Sequence, residues 1–120
     1  MVQVIHLQQE SIREIRRKVI RELRQKELYK PNLIFRGFSR NVIPTVLEYG
    51  TENPNSEFIY GNPEGYLGNR AIPRGDPLRY ALHAGALAVY DGDLLHKWWY
   101  TCYSFDADKR RTLVAVFLLE

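Results

Sequence analysis

One cysteine, Cys102, occurs in 120 residues, which excludes an intrachain disulfide framework; with three scattered histidines it leaves no spacing that a metal site uses. No apolar run approaches the roughly 18 residues of a membrane span. The opening Met1-Val2-Gln3-Val4-Ile5-His6 has no basic segment ahead of a long apolar core. A soluble, unsecreted, cytoplasmic protein with no membrane partner is therefore expected. The chain also has no phosphate loop of the GxxxxGK type and no GxSxG elbow, so those two enzyme classes drop out.

What is there suits a globular fold. The 120 residues, 45% hydrophobic and 26% charged, fit a single domain over 1–120 with a sizeable core. The net charge of +3 is unevenly placed, because Glu10 to Lys30 holds eight cations against four glutamates, a net +4, and the rest carries −1. Such an element suits nucleic acid or an acidic protein partner, or else a solvated helix whose Glu14–Lys18 and Glu22–Lys26 pairs are an ordinary exposed face.

That element has a marked beginning. Ser11-Ile12-Arg13-Glu14 has the pattern of a capping box, and Ile12, Ile15, Val19, Ile20 and Leu23 then recur at helical steps. A helix over about 11–28 is expected, ended by Lys30-Pro31-Asn32, with Val2 to Leu7 before it as a short strand or extended arm. A homodimer through the Ile12 to Leu23 face is one option and a monomer the other.

The α+β body expected over about 32–120 has a compact mixed or antiparallel sheet and two short helices. Leu33 to Phe38 reads as a strand, and Pro44 lies in the first turn of a helix stopped by Gly50. After the loop Thr51 to Ser56, Glu57 to Tyr60 is a short strand, and Asn62 to Gly75, with three glycines and two prolines, is an irregular loop that could cover a ligand. Asp76-Pro77 opens a helix that ends at Gly85, and Ala86 to Tyr90 follows as a buried strand closed by Asp91-Gly92. Tyr100 to Phe105 and Thr112 to Leu119 would form an antiparallel hairpin. Trp98 and Trp99 would face opposite sides if they lie in a strand.

The strand end Phe35-Arg36-Gly37-Phe38-Ser39 is the richest in chemistry. Its guanidinium can fork onto a phosphate or carboxylate, its glycine admits close approach, and its hydroxyl is a small donor and acceptor. With Val42-Ile43-Pro44-Thr45-Val46-Leu47-Glu48-Tyr49-Gly50 it resembles the opening of mono-ADP-ribosyltransferase-like domains and of the FRG domains. Leu78 to Tyr90 looks like the helix and strand that follow the second motif of the former family, so the likeness runs over about Leu33 to Tyr90 through short motifs.

The resemblance implies that NAD is bound by Arg36, with Gly37 and Ser39 beside it. It gives Tyr60 the place next to the nicotinamide, the Ser-Thr-Ser form of that motif being absent. It makes Glu120 the acid that orients the ribose and stabilises the developing positive charge. If Glu120 does not serve, the domain is a degenerate binding module or uses another acid such as Asp91, Asp93 or Glu64. The alternative is a small non-catalytic binding or inhibitory protein, of the kind phages and mobile elements encode, acting through the basic helix and an aromatic surface.

Overall fold

The computed structural model describes residues 2–51, 76–94 and 110–120. They form a mixed four-stranded sheet with helices on both faces, the α+β class expected. In chain order the elements are β1 (Gln3–Leu7), α1 (Ile12–Gln25), β2 (Leu33–Ser39), a single 3-10 turn (Arg40–Val42), α2 (Ile43–Tyr49), α3 (Pro77–Ala84), β3 (Gly85–Asp91) and β4 (Leu113–Leu119). Across the sheet the order is β1-β4-β3-β2, with β1 parallel to β4 and the other two pairings antiparallel. No described helix is long and apolar enough to cross a membrane.

Side-chain alternation sorts the core into two layers. Leu87 and Val89 of β3 join Ala115, Phe117 and Leu119 of β4 and Ile5 of β1 beneath α1 and α3. Ala86, Ala88 and Tyr90 join Phe38, Leu113 and Val116 beneath α2. One departure from strict alternation is a bulge: Val89 pairs with Ala115 but Tyr90 with Leu113, so Val114 is the extra residue. That shift puts Leu113 on the α2 face beside Tyr90, while its odd-numbered neighbours on β4 face α1.

Helix α1 begins as expected, with Ser11 Oγ accepting the Glu14 N–H at 3.2 Å. It ends earlier, at Gln25 rather than about Leu28, because Glu27 turns left-handed at φ 58°. The Leu28 N–H bonds to Leu23 O at 2.8 Å and the Glu27 N–H to Arg24 O at 3.1 Å, the double-bonded stop that usually has glycine at the left-handed position. Here a glutamate stands there, and no glycine marks the stop. Since a left-handed conformation costs an L-residue about 1–2 kcal/mol and glycine little, Glu27→Gly is expected to stabilise the protein by about 1 kcal/mol in urea denaturation; a loss of stability would contradict this geometry.

The apolar stripe of α1 is spent within the chain. Ile15, Val19 and Leu23 are buried and Ile12 packs against the same core, while Ile20 stays half-buried. Of the two expected charge pairs, Glu22–Lys26 forms at 3.4 Å, whereas Lys18 turns to Glu10 at 2.6 Å and Glu14 to Arg17 at 3.4 Å.

The two shorter helices start and stop where the sequence marks them. Gly50 (φ 80°) and Gly85 (φ 113°) are left-handed caps, and Asp76 accepts the Leu78 N–H at 2.9 Å ahead of Pro77. The buried Tyr90 hydroxyl donates to Gly50 O at 2.8 Å and ties β3 to the end of α2.

Candidate functional site

Chain direction gathers one set of polar side chains at a single end of the sheet. Ser39 pairs with Gly85, Ala86 with Leu118 and Leu7 with Leu119, so the ends of β1, β2 and β4 meet the start of β3 there. Glu120 extends β4 past this edge. It is not frayed: its N–H bonds to Leu7 O at 2.8 Å and its carbonyl accepts the Gln9 N–H at 2.9 Å.

The Glu120 carboxylate is hydrogen-bonded to His6 Nδ1, and Arg40 Nη2 lies 3.9 Å from the same oxygen. The His6 hydrogen bond, outweighing partial desolvation, and then the charges of His6 and Arg40 hold the Glu120 carboxyl below its ordinary value. Glu120 therefore stays ionised through the physiological range. The Arg40 stem is placed by Gly85, where a Cβ would lie 2.5 Å from Arg40 Cγ, so the left-handed helix cap also makes room for the arginine.

Arg36 is on the same sheet face, since it shares the α2 side with Phe38. Half-buried on β2, its guanidinium lies over the Phe38 ring at 4.9 Å. Arg36 and Glu120 are separated by two strand spacings and four residues, about 16 Å between Cα atoms from ordinary sheet dimensions. The arginine that reaches Glu120 is Arg40. Ser39, half-buried between the two arginines in sequence, accepts the Asn41 N–H at 3.4 Å and starts the turn that places Arg40.

Gly37 has a different use from the one expected of it. It points to the other face, where α3 crosses so closely that a Cβ would lie 2.6 Å from Tyr80 Cδ1 and 2.8 Å from Ala81 N. Its bare backbone admits a helix, not a ligand. Tyr60 and Glu64, the loop 62–75, Trp98 and Trp99, and the strands expected at 57–60 and 100–105 lie outside the described residues.

Asp91 and Asp93, the alternative acids, sit at the opposite end of the sheet, where Asp91 pairs with Leu33. Asp91, with its side chain 4% exposed, receives Lys30 Nζ at 2.6 Å and the N–H groups of Asp93 at 3.0 Å and Leu94 at 3.3 Å. Burial pushes its carboxyl up, but Lys30 and these amides together outweigh it and hold the pKa below the ordinary value. Asp93 accepts Asn32 Nδ2 at 2.8 Å. Both acids hold the end of β3 against the Lys30-Pro31-Asn32 segment, a structural task.

A depressed folded pKa gives stability that is complete above the unfolded value, about 3.9 for aspartate, and is lost as pH falls toward the folded one. Stability is thus expected to drop below about pH 4, and Asp91→Asn to be less stable at pH 7 yet to lose less on acidification. Parallel stability–pH curves for the two proteins would remove Asp91 from this role.

Sequence reasoning singled out neither Arg40 nor His6. Arg40 directly follows the hydroxyl that caps its turn, which is a usable signal. His6 had none, because only the parallel pairing of β1 with β4 brings it to Glu120. Among the described residues no cluster of histidine, cysteine and carboxylate groups could hold a metal ion. No family model, curated protein or solved structure matches this chain.

Proposed function

We propose that this chain is an ADP-ribosyltransferase-like domain that binds NAD on the α2 face of its sheet, at the end where β2 and β4 emerge. The observation that supports this reading best is the ionised Glu120, held by backbone bonds on both sides and faced by Arg40. The resemblance of the Phe-Arg-Gly strand and the helix stopping at Gly50 adds to it.

Chemically, the two guanidiniums of Arg36 and Arg40 suit the two charges of a pyrophosphate, since arginine forks onto phosphate oxygens. Ser39 contributes by capping the turn that carries Arg40. Glu120 would accept hydrogen bonds from a ribose and stabilise positive charge at the anomeric carbon as nicotinamide leaves, a preorganised electrostatic effect. Transfer would go to a protein or nucleic-acid acceptor. The separation of Arg36 from Glu120 suits a ligand as long as a dinucleotide, with anion and ribose ends held by different strands.

A thermal-shift series with NAD, ADP-ribose and nicotinamide tests the binding. At ten times its Kd a ligand adds about 1.4 kcal/mol, and for a chain of this size the midpoint should rise by several degrees. NAD and ADP-ribose should both shift it, Arg36→Ala and Arg40→Ala should cancel the shift, and Glu120→Gln should keep it while abolishing nicotinamide release. A midpoint indifferent to millimolar NAD and ADP-ribose would end this reading.

A further inference from the structure

The outer face of α1 carries five arginines, and the NAD reading does not use it. Arg13, Arg16, Arg17, Arg21 and Arg24 line an open groove with Ile20 and Gln25. At 3.6 residues per turn these five arginines occupy an arc of roughly 140°. Lys18 and Glu22 lie beyond this arc, where they are engaged with Glu10 and Lys26. The helix thus gathers five arginines around Ile20 on one side and places the Lys18–Glu10 and Glu22–Lys26 pairs on the other.

Two carboxylates do reach the arginines. Asp76 holds Arg16 in an ion pair, and Glu14 lies 3.4 Å from Arg17. Setting Arg16 aside leaves a row of Arg13, Arg17, Arg21 and Arg24 about 16 Å long. Arg13 and Arg21 have no carboxylate partner among the described residues. At the end of the row the Arg24 guanidinium lies 4.8 Å from the centroid of the Tyr29 ring, and Tyr29 is itself 43% exposed.

We infer that this row is a binding surface for the sugar–phosphate backbone of single-stranded nucleic acid. The cations are all arginine, the side chain whose planar fork matches phosphate oxygens. Successive arginines are about 6 Å apart along the helix where the step is four residues, longer than the roughly 3.4 Å rise per nucleotide of one strand in B-form duplex. Matching that step takes a strand pulled out of its stack. The Arg24–Tyr29 pair supplies a flat cationic and aromatic platform for an unstacked base, and a charged groove with such a platform is how single strands are held without sequence preference.

Fluorescence anisotropy of a labelled 20-nucleotide single-stranded DNA with the full chain tests this, and NAD is absent from the assay, so its outcome is separate from that of the NAD reading. Four phosphates neutralised give a log–log salt slope near −2.8, or about 50-fold weaker binding between 50 and 200 mM salt. The combined Arg13→Gln, Arg17→Gln, Arg21→Gln variant should cut that loss to about threefold, and Lys18→Gln with Lys26→Gln on the other flank should leave it unchanged. Because a folding defect could mimic lost binding, the corresponding triple Arg→Lys variant, which keeps charge and helix propensity, should bind several-fold more weakly with the wild-type slope. The inference is overturned if the strand fails to bind at 50 mM salt, if the glutamine variant keeps the wild-type slope, if the duplex of the same sequence binds as tightly, or if poly-glutamate competes as well as the oligonucleotide, which would make the partner an acidic protein.

Discussion

Replacing Phe117 by alanine is expected to cost about 4 kcal/mol, the largest loss available from one side chain among the described residues. Phe117 is fully buried in the middle of β4, with Leu87 and Ile5 beside it in register on the neighbouring strands. The layer above it is closed by Ile15, Val19 and Leu23 of α1. Truncation removes the ring's transfer energy and leaves a hole whose walls are a central strand and a helix, neither of which can collapse freely. A domain of this kind is stable by about 5–15 kcal/mol, so the variant should unfold at much lower urea, or lie partly unfolded at 37 °C. Phe117→Leu should lose far less, and equal losses from the two would show that the ring is not packed as described.

Gly37→Ala should cost about 3 kcal/mol, at the upper end for overpacking. The added methyl would meet Tyr80 Cδ1 at 2.6 Å, Ala81 N at 2.8 Å and Pro77 O at 3.0 Å. The tyrosine ring is half-exposed and can swing away; the two main-chain atoms cannot move unless α3 lifts off the sheet. A double variant with Tyr80→Ala should therefore recover only a minor part of the loss. Full recovery would mean that the ring alone sets the clash, and a neutral Gly37→Ala would mean that α3 does not lie on β2 as closely as it does here.

Gly37 also shows how far the sequence was legible. Its place at the end of an apolar strand was clear, and so was the arginine beside it. That the glycine serves helix packing depends on α3, forty residues later, crossing that spot. Local punctuation was reliable: Ser11 and Asp76 accept an orphan N–H, Pro44 and Pro77 lack one, and Gly50 and Gly85 take the left-handed cap. Glu27 marks the limit of that logic, since a residue with no left-handed preference was placed there by the Leu23 and Leu28 packing on either side.

Non-local arrangement was harder. The Val114 bulge shifts Leu113 to the opposite face without any change in the apolar string Leu113-Val114-Ala115-Val116-Phe117. The parallel partnership of β1 with β4 joins residues more than 100 positions apart, and it alone creates the His6–Glu120 pair. Arg36, Ser39 and Glu120 were singled out from sequence, but the arginine that meets Glu120 is Arg40. The four-residue spacing of Glu14 and Lys18 did not show that Lys18 takes Glu10 and Glu14 takes Arg17.

Titration calorimetry of NAD into the intact chain and into Arg36→Ala tests the proposed site most directly. Losing a charge-assisted contact to phosphate removes about 1.5–3 kcal/mol, so the parent protein should give saturable heat and the variant a Kd raised by tenfold or more. Titrations with no saturable heat at millimolar NAD, or with the same Kd in both proteins, would contradict an NAD site built on Arg36.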